Sequence, residues 1–500
     1  MNRAKRYHPL LLVFDLVNFV KSFFVFFIML FVVGLGSSSN YFKYGRYVFI
    51  LVFVLSFFSK IIGWLTHKYE LDETSFRLYK GLFTKSELTV PFSKVQNVNR
   101  HTTLFHRIFK MTSLSFNTGS AGEDAEVKFE VISRAEADKM ENYVERAGKP
   151  LPTGVDDDLP SVEKEEQETL PGRTVHFKPT KNDLLKASFT SLSFLFLVPL
   201  LFSFYFKIDD IFELEEEKLE GAFSYLLSSW WVLAMILVLI VAVSVAFGIG
   251  RTFLKYGKYE LSSDEKRIYI SKGMVEESAF SIPKEKVQAI EITQSSLKRL
   301  LGLAEVKLTS AGSISSGDDA LEINTLYPFL PVERAYEMIS EILPDYRVTE
   351  GMESLPKQSF WIRMLSPSWV WLAATAALYY FRSSIPFWDG AWWVLSVLLL
   401  ITVYGMRLMD FFHTRYVLNE RFVQFKKGSL TTTLFVSKRD KVIEVKVTRN
   451  VFQRFLGLAS VGTVNRAKPI RHEGVDDVPV ELADAFYNWY IGRTKEIHVE

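Results

Sequence analysis

One local pattern occurs three times in this chain, each time after a pair of long apolar runs. The first copy reads Tyr69-Glu70-Leu71, Gly81, Lys94-Val95-Gln96 and Arg107. The second reads Tyr259-Glu260-Leu261, Gly273, Lys286-Val287-Gln288 and Arg299, and the third Tyr416-Val417-Leu418, Gly428, Lys441-Val442 and Arg454. The glycine, lysine and arginine of copies one and two are each 192 positions apart, and those of copies two and three each 155. Landmarks that share one offset mark a repeated unit, which limits a fold more than any single residue does. The chain reads as three copies of an apolar hairpin followed by a small soluble domain.

Composition supports a mixed chain. Its 48% hydrophobic content, 43 Phe and mean hydropathy of +0.11 exceed the usual soluble balance, while 23% charged residues is too many for a chain lying wholly in lipid. A net charge of +2 makes no case for nucleic acid, which calls for a concentrated basic face. Zero cysteines excludes disulfides, thiol nucleophiles and Cys-ligated metals.

The apolar runs are Leu10 to Gly36, Tyr47 to Leu65, Leu184 to Phe206, Ser228 to Gly250, Trp369 to Phe381 and Ala391 to Met409. A bilayer core of about 30 Å takes about 20 apolar residues of helix. Five runs meet that, and the short fifth is expected to draw on Trp361 and Ile362 beyond the Pro367 break. The first run is too long and too polar at its start for a cleaved signal. Arg3, Lys5 and Arg6 put the amino terminus on the cytoplasmic side. A translocated loop with Asp209, Asp210, Glu213 and Glu215 to Glu217 agrees, while Lys43 and Arg46 in the first loop dissent mildly. Six spans then leave all soluble domains and both termini in the cytoplasm.

Ionisable residues inside a span are functional candidates. Asp15 and Lys60 lie at similar depth in the first hairpin, since a helix rises about 1.5 Å per residue. They are a candidate intramembrane ion pair. The competing reading has Lys60 snorkelling and Asp15 in the headgroup zone.

In each soluble unit, alternating residues such as Phe76-Arg77-Leu78-Tyr79 read as strands, and the shared glycine follows as a hairpin turn needing positive φ. A further strand ends at Val90-Pro91 and at Ile282-Pro283; copy three has Lys438 in place of the proline. Short helical stretches around Arg107, Arg299 and Arg454 come next, then more strands. Amphipathic helices close the units at Arg134 to Arg146, Val332 to Leu343 and Glu481 to Arg493. Strands followed by one helix imply a small antiparallel sheet or barrel capped by that helix. The fold class is therefore α+β with three transmembrane helical hairpins. The arginine suits either a phosphate or carboxylate ligand or a structural bond that fixes its turn.

Tyr-x-Leu, the glycine turn, Pro-x-x-Lys-Val-Gln and Leu-x-Arg-x-x-Gly-Leu-Ala resemble the bacterial pleckstrin-homology-like (PH-like) domains of the YdbS/YdbT family. Three hairpin-plus-domain units in one chain resemble its YdbT type. The resemblance implies two nearly orthogonal antiparallel sheets with a C-terminal helix, in a bacterial cell membrane, with no established enzymatic activity. It also brings in a smaller PH-like membrane protein of the YdbS type as a partner. Copy three departs most, having lost both the proline and the glutamine (Ile443).

The expected division is hairpin 1–66, domain 67–149, acidic linker 150–180, hairpin 181–252, domain 253–348, linker 349–360, hairpin 361–411 and domain 412–500. Asp156 to Asp158 and Glu163 to Glu168 make the first linker a solvated segment, with docking to a basic partner as the other reading. The third domain has a basic run of Lys426, Lys427, Lys438, Arg439, Lys441, Lys446, Arg449 and Arg454. Beside an anionic leaflet each such residue contributes about 1 kcal/mol, and a plain solvated face is the alternative.

The eight His are scattered, and no phosphate-binding or dinucleotide loop occurs. Gly312-Ser313-Ile314-Ser315-Ser316-Gly317 lacks the serine placement and strand-to-helix setting of a nucleophile elbow and reads as a hairpin loop. No cofactor, metal or catalytic residue is expected. Candidate binding or structural positions are Lys94, Arg107, Lys286, Arg299, Lys441 and Arg454. The expected function is noncatalytic: a membrane scaffold whose cytoplasmic domains bind a partner or anionic lipid headgroups in envelope maintenance or defence. A transporter or exporter subunit is the alternative, and a membrane enzyme with an unrecognised site the third reading.

Overall fold

The computed structural model describes residues 4–33, 40–81, 85–118, 126–147, 173–190, 230–310, 325–349, 351–382, 392–467 and 470–492. The acidic loop of Asp209, the acidic linker around Asp157 and the Gly312 loop lie outside them.

Strands are numbered along the chain. Copy one holds β1 (Lys5–Arg6), β2 (Lys68–Leu71), β3 (Ser75–Lys80), β4 (Ser86–Pro91), β5 (Asn97–Thr102), β6 (Met111–Asn117) and β7 (Glu126–Ser133). Copy two holds β8 (Thr174–Phe177), β9 (Glu260–Ser263), β10 (Arg267–Lys272), β11 (Glu277–Pro283), β12 (Val287–Gln294), β13 (Leu303–Ser310) and β14 (Thr325–Pro331). Copy three holds β15 (Glu353–Ser354), β16 (Arg415–Leu418), β17 (Phe422–Lys427), β18 (Thr432–Lys438), β19 (Val442–Thr448), β20 (Leu458–Asn465) and β21 (Arg471–Pro479).

The chain forms two compact units. The first is Met1–Arg173 with Tyr269–Ile282; the second is Thr174–Ile268 with Pro283–Glu500. The segment Tyr269–Ile282 belongs by sequence to the second domain and by contact to the first unit, because its strand β11 pairs with β5.

In the first unit β1-β2-β3-β4 form one antiparallel sheet, and β5, β6 and β7 pair in succession in another. The helix Arg134–Ala147 closes the core. Its Ala137, Met140 and Val144 fall at helical spacing on one face and pack with Phe76, Phe116 and Phe129. Fully burying each Phe contributes about 1.5–3 kcal/mol. The rings sit at aromatic contact distance, Phe76 to Phe116 being 5.2 Å. The helices Leu10–Phe27 and Asn40–Thr66 pack through rings such as Phe19 on Phe53 (4.9 Å) and Phe23 on Phe49 (5.9 Å).

In the second unit one sheet runs β14-β13-β12-β18-β17-β16-β15, and β19-β20-β21 form another. The helices Val332–Ile342 and Val480–Ile491 cap their copies. Trp369–Tyr380 packs on Trp392–His413, where Trp371 donates to the Ser396 carbonyl (3.0 Å) and the Thr375 and Ser396 hydroxyls bond at 2.6 Å.

Turn chemistry follows the repeat. Gly273 and Gly428 take φ of +102° and +120°, and a Cβ there would lie 1.7 Å from the Glu276 carbonyl oxygen and 2.0 Å from that of Thr431. Only glycine fits such a turn. After the short helix, Gly302 and Gly457 are left-handed, and Lys110 occupies the same conformation at φ 55°. Lys438 is as extended (φ −79°, ψ 151°) as Pro91 and Pro283, so the fold does not need the proline.

Among the described residues, two helices are long and apolar enough to cross a membrane, Asn40–Thr66 and Trp392–His413. The expected upstream extension of the fifth run is not continuous. Lys357–Leu365 ends before Pro367, and a new helix starts at Trp369. Proline disfavours helical backbone at the residue before it, which explains the break. Most of the run Leu184 to Phe206 lies outside the described residues.

Candidate functional site: strand junctions between the repeats

Within each unit a strand of one copy pairs with a strand of the next. In the first, β11 adds antiparallel to β5, with Phe280 opposite Asn99, Ser278 opposite His101 and Glu277 opposite Thr102. In the second, β18 adds to β12, with Phe435 opposite Glu291, Thr433 opposite Thr293 and Thr432 opposite Gln294. Moving the first set by 192 positions on β5 and by 155 on β11 gives the second set residue for residue. Since a one-residue slip would reverse every side chain, a shared register is strongly specified.

Side chains reinforce both junctions. His101 Nδ1 and Ser278 Oγ share a 2.7 Å hydrogen bond, and the equivalent pair Thr293 and Thr433 meets at 3.4 Å. Ala289 is fully buried within the core of copy three. Glu291 takes Arg471 (3.0 Å) and the Thr309 hydroxyl (3.1 Å).

The repeated arginine works at these junctions. Arg107 Nη1 donates to the Met274 carbonyl at 2.8 Å, in the turn that follows Gly273. Arg299 donates to Thr432 Oγ1 (3.0 Å), and its Nη1 lies 3.2 Å from His413 Nε2. Each holds the next copy's β-hairpin. Arg454 is exposed, and its guanidinium has no partner among the described residues. The repeated lysines end one-turn helices instead: Lys441 reaches the Glu285 carbonyl (3.3 Å), whereas Lys94 is exposed. Lys286 is half-buried, and its own carbonyl accepts from Gln288 Nε2 (3.2 Å).

Much of the basic run of copy three is engaged within its own unit. Lys427 pairs with Glu473 (2.7 Å), Lys438 with Asp345 (3.0 Å), and Arg449 donates to the Leu458 carbonyl (3.0 Å). Burial, then Arg299 and Arg415, lowers the Lys426 pKa. Lys446 stays exposed on β19.

Asp15 and Lys60 approach to 3.5 Å. Beside them lies Glu130 of β7, whose pKa is raised by burial and then by the carboxyl of Asp15. The pair thus meets a strand of the soluble domain. Sequence spacing did not reveal this third member, nor a polar cluster around Arg363. That arginine bonds Asp410, Thr414 (3.3 Å) and Asp477 (3.4 Å), while Asp410 accepts from the Gly428 N–H (2.9 Å). Burial raises the Asp477 pKa, against hydrogen bonds from Gln453 and Arg363. His106 is a buried capping residue with its Nε2 2.7 Å from the Glu130 carbonyl, and burial lowers its pKa.

Antiparallel sheets closed by a C-terminal helix, repeated and joined edge to edge, define a PH-like array. The model of the Bacterial PH domain family matches residues 17–148, 210–345 and 368–494, and the chain belongs to that family. It is 22% identical over 499 residues, 98% of each chain, to the UPF0699 transmembrane protein YdbT of Bacillus subtilis (strain 168). No solved structure matches it.

Proposed function

We propose that this chain is a noncatalytic, multi-pass membrane scaffold. Its six apolar runs cross the membrane as three hairpins, and its PH-like domains face the cytoplasm and bind polypeptide by strand addition. The observation that carries this reading is the shared register of the β5·β11 and β12·β18 junctions. A domain edge that twice accepts a strand is a built peptide-binding mode, with main-chain hydrogen bonds giving affinity. The relative's name supports the membrane setting, as do the two long apolar helices. Envelope maintenance or defence is the setting proposed for the scaffold.

Contact with lipid is a second reading. The short helices expose Ile108 (74%), Leu300 (82%) and Phe455 (90%), and the Phe105 ring lies tilted 5.5 Å from that of Phe14 in the first apolar helix. Apolar tips beside a membrane helix suit the headgroup boundary, where Arg454 would meet anionic lipid. A transporter subunit or an enzyme lacks a comparable supporting feature.

The test is cysteine accessibility in this Cys-free chain. Lys139→Cys, Glu333→Cys and Asp484→Cys should react with an impermeant maleimide only after the cells are permeabilised. Labelling of any of them from outside overturns the topology. A pull-down from native membranes, comparing the wild type with Arg107→Ala, Arg299→Ala and Arg454→Ala, separates the binding readings. Loss of protein partners supports strand addition, and loss of anionic lipid alone supports the second reading.

A further inference from the structure

We propose that a second copy of this chain docks β4 of its first domain onto β19 of the third domain, forming a head-to-tail assembly in the membrane. The proposal rests on the scaffold reading above and names the partner. Among the described residues β4 and β19 are outer strands of their sheets, so each presents the kind of edge that is paired at the two internal junctions. Val447 on β19 is 40% exposed, whereas Ile292, its equivalent on β12, is 4% exposed under β18. On the other side Ser86 and Glu87 are exposed and Leu88 half-buried, where the equivalent Phe280 and Phe435 are buried. Arg454 is the third observation: its two equivalents hold the next copy's hairpin, and it holds nothing among the described residues.

The internal junctions dictate the register. The same offsets put Lys446 opposite Leu88, Val447 opposite Glu87 and Thr448 opposite Ser86. The Thr448–Ser86 hydroxyl pair then repeats His101–Ser278 and Thr293–Thr433. Such an interface is heterologous, so it propagates into a ring or a row rather than stopping at a symmetric dimer.

The test uses two full-length variants with different tags, Ser86→Cys and Thr448→Cys, coexpressed and oxidised in isolated membranes with copper phenanthroline. The expected result is a mixed-tag disulfide that neither variant forms with itself and that Glu87→Cys, one residue out of register, does not form with Thr448→Cys. Leu88→Lys, which opposes Lys446 with a like charge, should abolish the link, and adding Lys446→Glu should restore it. No mixed-tag product from protein that elutes as a folded species overturns the proposal. So does a Thr448→Cys adduct with a different, smaller polypeptide. The domain cysteines report topology separately, so failure of the link and failure of the scaffold reading are distinct results.

Discussion

The guanidinium of Arg107 donates to the carbonyl of Met274 at 2.8 Å, across 167 positions of sequence. The residue it holds belongs to the next repeat, in the turn beside that repeat's own landmark glycine. The arginine and the glycine recur together because one secures the hairpin that the other permits. Arg299, with its bond to Thr432, does the same one repeat later.

Arg107→Ala and Arg299→Ala should therefore loosen the junctions, each costing about 1 kcal/mol, near the usual net worth of a hydrogen bond. Hydrogen exchange should speed up in β11 for the first and in β18 for the second. Arg454→Ala should leave the internal β5·β11 and β12·β18 junctions unchanged.

Gly273→Ala and Gly428→Ala should each destabilise by more than about 1 kcal/mol, because positive φ and a sub-van-der-Waals Cβ contact coincide. Lys110→Gly should do the opposite, gaining up to about 1 kcal/mol by relieving a left-handed lysine. Thermal unfolding of the purified chain measures both directions.

Burial pushes the Glu305 carboxyl up, yet Lys298 at 2.7 Å and Lys307 at 2.9 Å outweigh it and hold the pKa below the usual value. A depressed carboxyl contributes stability above its unfolded pKa and loses it as pH falls through the folded one. The wild type should lose stability below about pH 4.5, the ordinary value for this carboxyl. Glu305→Gln should flatten that part of the melting-temperature profile.

Ala289→Leu should destabilise by about 1–3 kcal/mol, since added methylenes do not fit a packed core. Ala289 is fully buried among residues of the next repeat, so the loss should show as faster exchange in β18 as well as β12.

Local features of the repeat were legible in the chain: the strands before and after each glycine, the closing helices and the offsets themselves. Hairpin glycines and amphipathic faces are set by neighbours within a few residues, so periodicity reveals them. Arg107 and Arg299 could be singled out as repeat positions, but their role could not be chosen. Lys438, Lys441 and Arg449 read as a basic run, and only packing showed how far they are engaged.

The amino-acid sequence alone determined that a unit of strands and a capping helix is repeated after apolar runs. Tertiary structure decided what the edges do. Strands β4, β11 and β18 have similar local patterns, and nothing within a strand states whether its outer edge meets water or another repeat. That depends on bringing together residues such as Phe435 and Glu291, far apart in the chain, at a register that long-range packing fixes. The same physics separates Arg454 from its two equivalents: an identical residue in an equivalent turn that holds no hairpin among the described residues.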